Sequence, residues 1–272
     1  MTLRVKNVDT QWAANVVSGA RRILAATAKR IEKGQIADPI GVRYSMFTKQ
    51  LILSKLLYSL GENLEQTLEQ FNNAFESIRI VFRDIHGGKL FATTTSPETF
   101  FDPKIDYSVA NSNDGLIGIY LGFLLNNFYG AGDLALRIGD PPEAPYIHPK
   151  SEVCNPDQQA IAYAIRALYM HDQEGALRET NKVSDHIPGL FFQSKILKGI
   201  ILGLPETVIN TTREYQHWFA SRQAKKRTIK HMDLLINIPA IALYLFAISQ
   251  NICSGEELPG ETNISTFVEF HQ

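Results

Sequence analysis

Apolar residues recur every three or four positions along most of this chain, and that spacing constrains the fold more than any other feature. Residues 44–60, for example, place Phe47, Leu51 and several further leucines at these intervals. Because an α-helix turns once every 3.6 residues, side chains spaced in this way share one face, which can be buried against other helices. The sequence therefore predicts an all-α protein.

Capping residues and helix breakers divide this pattern into segments. Asp9 and Thr10 offer the first N-cap and Gly34 closes the first helix. The Gly-, Thr- and Pro-rich stretch 86–112 predicts a long loop with at most a short strand near residues 89–93. The predicted helices cover residues 10–33, 44–60, 63–85, 113–128, 133–138, 156–170, 172–186, 190–202, 205–222 and 230–251.

These segments predict one helical domain covering residues 1–272. It comprises N-terminal helices (1–85), the long loop (86–112), a stack of antiparallel helix pairs (113–253) and a polar tail (254–272). The corner at His171–Asp172 recurs 33 residues later at Leu204–Pro205. Helical hairpins repeat at such intervals because a single hairpin cannot bury its apolar face without a neighbour. We therefore expect stacking similar to that of tetratricopeptide (TPR) repeats in the C-terminal half.

Composition indicates the class of protein and the compartment in which it works. Hydrophobic residues make up 44% of the 272 residues, which is typical of a globular chain. The two cysteines, Cys154 and Cys253, lie far apart and have no metal-site spacing, so a reducing compartment is favoured. The apolar stretch 234–248 is shorter than a membrane-spanning helix, and the first residues lack the apolar run and cleavage site typical of a signal peptide. We expect a cytoplasmic protein that does not enter a membrane.

Charge is unevenly distributed beneath a net value of −1. Residues 1–60 carry a net +7 and residues 61–157 a net −8, while residues 211–231 add +5 and residues 232–272 subtract 5. Blocks of this kind make a surface with two opposite fields, which steers charged partners. The short basic run at residues 225–231 is typical of a solvated link between helices, so we expect no direct contact with nucleic acid.

The densest set of reactive side chains is HDQE, at residues 171–174. A helical metal site needs ligands four residues apart on one helix, whereas this set spans a helix break. Asp172 stands where an N-cap belongs, and Glu174 falls in the first turn of the next helix, where a negative charge is favoured. No phosphate-binding loop or serine-nucleophile motif occurs elsewhere. The sequence thus predicts a structural corner and no metal, cofactor or catalytic site.

The order of the helices in residues 110–255 resembles a known bacterial family. A short helix ends in Gly139–Asp140, a Pro-rich connector follows, and an Ala- and Tyr-rich helix ends at His171–Asp172. Helical pairs come next, and an apolar helix containing Asn-Ile-Pro-Ala, within residues 233–251, closes the domain. This arrangement is similar to that of the immunity-protein family numbered forty-nine among those that accompany polymorphic toxins.

The resemblance implies a non-enzymatic antitoxin in the cytoplasm. Such a protein binds a cognate secreted toxin, often a nuclease delivered by a contact-dependent or type VI route, and covers its active site or the path of its substrate. A basic nuclease cleft would attract acidic residues. We expect the partner to contact carboxylates in the acidic, proline-punctuated region, namely Asp102, Asp106, Asp133, Asp140, Glu143 and Glu152.

Two alternative functions remain open from the sequence. A stack of helical hairpins also suits an adaptor that binds a peptide or protein segment in its groove. A helical enzyme or sensor is the other alternative, with a polar site assembled from distant residues such as His86, Asp106 and His148.

Overall fold

The computed structural model describes residues 5–36, 39–85, 111–138 and 155–255, together with Phe267. The protein is all-α, as predicted; within the described ranges the one β-type contact is an isolated bridge between Val8 and Ile229. The predicted loop at 86–112 and the short strand near 89–93 lie outside these ranges, apart from residues 111 and 112. The described helices are α1 (Thr10–Glu32), α2 (Pro39–Ser59), α3 (Leu64–Ile85), α4 (Ser112–Leu124), α5 (Phe128–Arg137), α6 (Pro156–Tyr169), α7 (Gln173–Thr180), α8 (Pro188–Ile201), α9 (Pro205–Ala224) and α10 (Ile238–Ser249), with a 3-10 turn at Met232–Leu234.

Contacts group the chain into two compact units. The first unit is Met1–Val81 with His217–Asn237, and the second is Phe82–Gln216 with Ile238–Gln272. No helix of the described residues combines the length and the apolar character needed to cross a bilayer.

The first unit joins two segments that are more than 200 residues apart in sequence. The Ile229 amide donates to the carbonyl of Asn7 at 2.7 Å, and the Asp9 amide donates to that of Ile229 at 3.2 Å. Asp9 also caps α1, because its carboxylate accepts from the Trp12 amide at 2.8 Å and contacts Lys230 at 3.0 Å. The Trp12 bond and then Lys230 lower the pKa of Asp9 below its ordinary value. The core beneath this junction includes Val8, Leu53, Leu56, Ile229 and Leu235.

The second unit is built around α10, in which Ile238 and residues 240–247 are buried. This agrees with the prediction of a core helix there. Helices α4 and α8 both contact α10, and α6 contacts α4, α5, α7 and α8. A buried polar chain crosses the unit: Tyr120 donates to Gln193 at 2.7 Å, and Gln193 donates to Tyr215 at 3.1 Å. The two hairpins α6–α7 and α8–α9 are therefore packed together, as the predicted stack requires.

Three predicted boundaries between residues 111 and 255 were wrong. The break between α4 and α5 falls at Asn126–Asn127, where Asn126 adopts φ 58° and Asn127 caps the Gly130 amide at 2.9 Å. Helix α7 ends at Thr180 and not near residue 186, because Ser184 is held by the carboxylate of Asp157 through its hydroxyl at 2.7 Å. The predicted helix 230–251 is divided into the 3-10 turn and α10.

The period of the hairpins also differs from the predicted value by one residue. His171 and Gly203 are the left-handed residues of the two corners, with φ 58° and 64°, and they lie 32 residues apart. The 33-residue overlay matched Asp172 with Pro205. However, Asp172 caps α7 and corresponds to Leu204, whose carbonyl accepts from the amide of Val208 at 3.2 Å.

Lys55 provides a test of the packing in the first unit. Its side chain is only 15% exposed and lies 3.9 Å from Asp233, which is 93% exposed. Burial lowers the pKa of Lys55, because removing the ammonium group from water destabilises its charged form in the folded chain. We expect Lys55→Met to raise the free energy of unfolding by about 1 kcal/mol near neutral pH, because an apolar side chain removes that destabilisation.

This gain should depend on pH in a defined direction. The gain in the free energy of unfolding has its full value below the lowered pKa of Lys55. It shrinks as the pH rises toward 10.5, because Lys55 loses its proton in the folded chain at a lower pH than in the unfolded chain. Urea unfolding at several pH values measures the difference. Lys49→Met, a lysine of the same helix, serves as the control and should change stability by no more than about 0.5 kcal/mol. A destabilised Lys55→Met protein at neutral pH would contradict the prediction.

Candidate binding site

The HDQE corner joins α6 to α7 through backbone geometry. The Asp172 amide donates to the Ala167 carbonyl at 2.9 Å, and the His171 amide donates to that of Leu168 at 3.0 Å. These two bonds, with His171 in the left-handed region, form a Schellman motif. Asp172 then caps α7, since its carboxylate accepts from the Gly175 amide at 2.8 Å. The structural role predicted for this corner is confirmed.

Helices α8 and α10 end in the same way. In α8 the left-handed residue is Gly203, and the Leu204 amide donates to Gly199 at 2.8 Å. In α10 it is Asn251, and the Ile252 amide donates to Ala247 at 3.0 Å. Helix α4 closes in this way as well, at Asn126, so the endings of α6, α8 and α10 are three of four endings of one type among the described helices of the second unit.

These three endings surround a single cavity, which we call the helix-end pocket. Its volume is about 560 Å³, which lies in the range of small-molecule sites. Every lining residue comes from the last turn of α6, α8 or α10, from the residues just after those ends, or from the first residue of α7. The lining consists of Leu168, Tyr169, His171, Gln173, Ile200, Ile201, Phe246, Gln250 and Ile252.

The floor of the helix-end pocket is aromatic. The ring of Phe246 stacks on that of Phe123, with centroids 4.3 Å apart and planes within 1°, and Tyr169 stacks at 6.2 Å. The Tyr169 hydroxyl donates to the Phe128 carbonyl at 2.9 Å, which fixes the ring. Burial raises the pKa of Tyr169, so its phenol stays neutral. The floor thus offers a rigid, uncharged surface.

The rim of the helix-end pocket is polar but has no Asp, Glu, Lys or Arg among its lining residues. Gln173 donates from Nε2 to the carbonyl of Ile201 at 2.6 Å, which connects the start of α7 to the end of α8. His171 and Gln250 are exposed at the opening. The lining contains no serine, threonine or cysteine.

Large apolar side chains stand exposed beside the helix-end pocket. Met170 and Leu202 are each 50% exposed, and Leu204 is 45% exposed. We call these three residues the corner cluster. Met170 belongs to the α6–α7 corner, and both leucines belong to the α8–α9 corner. The hydrogen bond from Gln173 to Ile201 joins these two corners, so they are neighbours.

The acidic residues predicted to bind a partner are mostly outside the described part of the chain. Asp102, Asp106, Asp140, Glu143 and Glu152 lie there, as do His86 and His148 of the alternative polar site. Asp133 is described, and its carboxylate contacts the Arg137 guanidinium at 3.0 Å within α5. Asp133 is therefore already neutralised by its own helix. Among the described residues no group of three or more His, Cys, Asp or Glu side chains could hold a metal ion.

The uneven charge of the sequence follows the two units. The first unit has 16 Lys and Arg against 8 Asp and Glu, a net +8, and the second has 11 against 20, a net −9. The basic blocks at residues 1–60 and 211–231 are distant in sequence, yet most of both belongs to the first unit. The helix-end pocket and the corner cluster therefore belong to the acidic unit.

Sequence reasoning did not find the helix-end pocket, and helix endings alone could not identify it, because α1, α2 and α4 close with the same left-handed turn. Each of the three helices around the pocket ends in a short motif of a left-handed residue followed by an apolar or capping residue. Only the pair at His171 and Gly203 recurs at the hairpin period. The exposed Met170 and Leu202 stand just before those two residues, at positions that polar side chains ordinarily fill when a helix end faces solvent.

The cap at the corner can be tested by two substitutions that remove it in different ways. We expect Asp172→Ala to lower the free energy of unfolding by about 1 kcal/mol, because an amide of α7 loses its acceptor. A Cβ at Gly175 would lie 2.0 Å from Oδ2 of Asp172, so Gly175→Ala should displace the carboxylate and cost a similar amount.

The double variant Asp172→Ala/Gly175→Ala separates the loss of the cap from the other effects of the two substitutions on stability. In the Asp172→Ala background the carboxylate is already absent, and Gly175→Ala should stabilise α7 by up to about 1 kcal/mol through helix propensity. Urea unfolding of the four proteins gives the comparison. If the two losses in the free energy of unfolding simply add in the double variant, the Asp172 carboxylate does not cap α7 in the space beside Gly175. Stoichiometric metal lost from purified protein on His171→Ala would instead overturn the structural interpretation of the corner.

Comparisons of the chain with protein families, curated proteins and solved structures give no match. The helix-end pocket, the corner cluster and the charge of the second unit are therefore the observations from which a function can be argued.

Proposed function

We propose that this protein is an immunity protein, an antitoxin that binds a cognate secreted toxin and blocks its active site or substrate path. The observation that carries the proposal is the corner cluster of Met170, Leu202 and Leu204 beside the helix-end pocket. Apolar side chains grouped at the rim of a concave site are a feature of surfaces that bind another protein. The order of helices in residues 110–255, which resembles the immunity-protein family, supplies the class of partner.

The charge of the second unit supports a basic partner. With a net charge of −9, this unit attracts a protein whose cleft is positively charged, as the cleft of a nuclease is. Charge of this kind mainly accelerates association, whereas buried apolar contacts slow dissociation. The acidic unit would then steer the toxin, and the corner cluster would hold it.

The test is capture of the toxin encoded beside this gene, with purified proteins and a measured Kd. We expect the double variant Met170→Gln/Leu202→Gln to bind at least about tenfold more weakly, since truncation of central apolar contacts costs more than about 1 kcal/mol each. Ile23→Gln/Ile187→Gln is the matched control, because both isoleucines are about as exposed but lie outside the cluster. That control should bind within about twofold of the native protein.

Two results would count against the proposal. If the neighbouring gene product is not captured and co-expression gives no protection against it, the immunity function is wrong. If both double variants weaken binding equally, the corner cluster is not the contact surface.

The acidic residues outside the described ranges make a separate kinetic prediction. We expect Asp140→Lys/Glu143→Lys to slow toxin association and flatten its dependence on ionic strength, because rim charges act mainly on the encounter. Stopped-flow rates at two salt concentrations measure this. Glu65→Lys/Glu69→Lys, with the same change of charge on exposed residues of α3, is the control. Unchanged rates for the first pair would remove these acids from the contact surface.

A further inference from the structure

The first unit holds its basic run against the start of the chain. Residues 5–9 and 226–230 lie side by side at the isolated bridge. Asn7 fastens them together: its side-chain amide donates to the Lys226 carbonyl at 3.1 Å, and its backbone carbonyl accepts from the Ile229 amide at 2.7 Å. The sequence alone predicts a solvated link here and no contact with nucleic acid, but a link would not be hydrogen-bonded to a residue 219 positions away.

Four exposed cations meet at this place. We call them the basic junction; they are Lys6, Lys225, Lys226 and Arg227. Within the described residues no carboxylate contacts any of the four, because the nearby acids have other partners. Asp9 contacts Lys230 at 3.0 Å, and Asp233 lies 3.9 Å from Lys55. The basic junction therefore presents four charges that the surrounding side chains do not neutralise.

We propose that the basic junction binds the phosphate backbone of double-stranded DNA. A duplex carries one negative charge per about 1.7 Å of its axis, and exposed lysine and arginine side chains are the groups that contact it. The net charge of +8 on the first unit attracts such a polyanion as well. Contacts to phosphate carry no sequence information, so binding should show little preference among sequences.

This inference goes beyond the proposed function and does not rest on it. The basic junction belongs to the first unit, whereas the corner cluster and the helix-end pocket belong to the second. Binding of DNA and capture of a toxin can therefore be measured separately, and either can fail without the other.

Other polyanionic partners fit the basic junction less well. Attachment to a lipid surface needs apolar side chains beside the cations, and the exposed large hydrophobic residue among the described part of the first unit is Ile23, well beyond residues 5–9 on α1. An acidic protein would also need apolar anchors, because charges at a rim add little affinity. A single strand is bound by stacking on open aromatic rings, whereas Trp218 has the Arg222 guanidinium over its ring, 4.8 Å from the centroid.

The experiment measures the salt dependence of binding with the full-length protein. A fluorescein-labelled DNA duplex of about 20 base pairs is titrated, and its anisotropy gives the Kd at about 50 and 200 mM KCl. Four phosphate contacts predict binding in the micromolar range at the lower salt concentration and a Kd that rises on the order of 100-fold at the higher one.

Two double variants locate the contact. Lys6→Gln/Arg227→Gln removes one cation from each segment, so the rise in Kd between the two salt concentrations should fall to about tenfold. Lys29→Gln/Lys33→Gln removes the same charge from exposed residues at the end of α1 and should keep the salt dependence of the native protein. Both pairs are exposed, and circular dichroism checks that the variants fold.

Three results would overturn the proposal. The first is an unchanged anisotropy at about 100 µM protein in the lower salt. The second is an equal loss of salt dependence in both double variants, which would mean that the basic junction is not the contact surface. The third is displacement of the duplex by phosphatidylserine vesicles, polyglutamate or a single strand of the same length at an equal concentration of charge, which would assign the surface to that class of partner.

Discussion

Replacing Phe246 with alanine is expected to lower the free energy of unfolding by about 4 kcal/mol. The side chain is buried in α10, and its ring is stacked between those of Phe123 and Tyr169 at 4.3 and 6.2 Å. Removing it leaves a cavity among rings that cannot move together, because Tyr169 is held by the Phe128 carbonyl. The loss therefore includes both the transfer of the ring and the space it leaves.

Urea unfolding followed by circular dichroism measures this loss. Tyr129→Ala is the matched control, since this aromatic residue in the second unit is 88% exposed and should change stability by less than about 0.5 kcal/mol. A loss below about 1 kcal/mol for Phe246→Ala would show that the aromatic cluster is not packed as described.

Local signals predicted most of the helices correctly, because each was decided by neighbouring residues. Asp9 and Asp172 were identified as caps from their position before an apolar pattern, and both accept the expected backbone hydrogen bonds. Gly34 adopts φ 63° at the end of α1, as a helix-closing glycine should. Helix capping and termination depend on groups within a few residues of one another, so the local sequence is enough to predict them.

The break between α4 and α5 was misplaced because a glycine can either interrupt a helix or lie inside one where another helix packs closely, and the local sequence does not distinguish the two cases. The predicted break between residues 128 and 133 contains Gly130 and Gly132, and glycine is a weak helix former. Both lie inside α5, and the chain instead turns at Asn126, which tolerates the left-handed region. Gly132 is needed for close packing against another helix, which no local pattern reveals.

The candidate site was unpredictable for a related reason. Its lining comes from residues 168–173, 200–201 and 246–252, which meet only when the tertiary fold brings the ends of three helices together. Hydrophobic periodicity shows that a helix has a buried face but does not identify the helix that covers it. The acidic residues chosen from the sequence follow charge alone, and the one described member, Asp133, is paired within its own helix.

Gly132→Ala is expected to lower the free energy of unfolding by about 3 kcal/mol, although alanine is the better helix former. A Cβ at this position would lie 2.6 Å from Cε1 and 2.8 Å from Cδ1 of Tyr169. The ring cannot turn away, because its hydroxyl bonds to Phe128 and its face stacks on Phe246. Helix α5 would have to separate from α6 to admit one methyl group.

The same substitution at Gly19 is the control, and its sign should be opposite. Gly19 lies inside α1, and no heavy atom comes within 4 Å of a Cβ built there. Gly19→Ala should therefore stabilise the protein by up to about 1 kcal/mol, because alanine loses less backbone entropy in a helix. Urea unfolding of both variants gives the comparison. Stabilisation by both would show that α5 does not approach Tyr169 as closely as described, whereas opposite signs would show that packing against that ring outweighs helix propensity at Gly132.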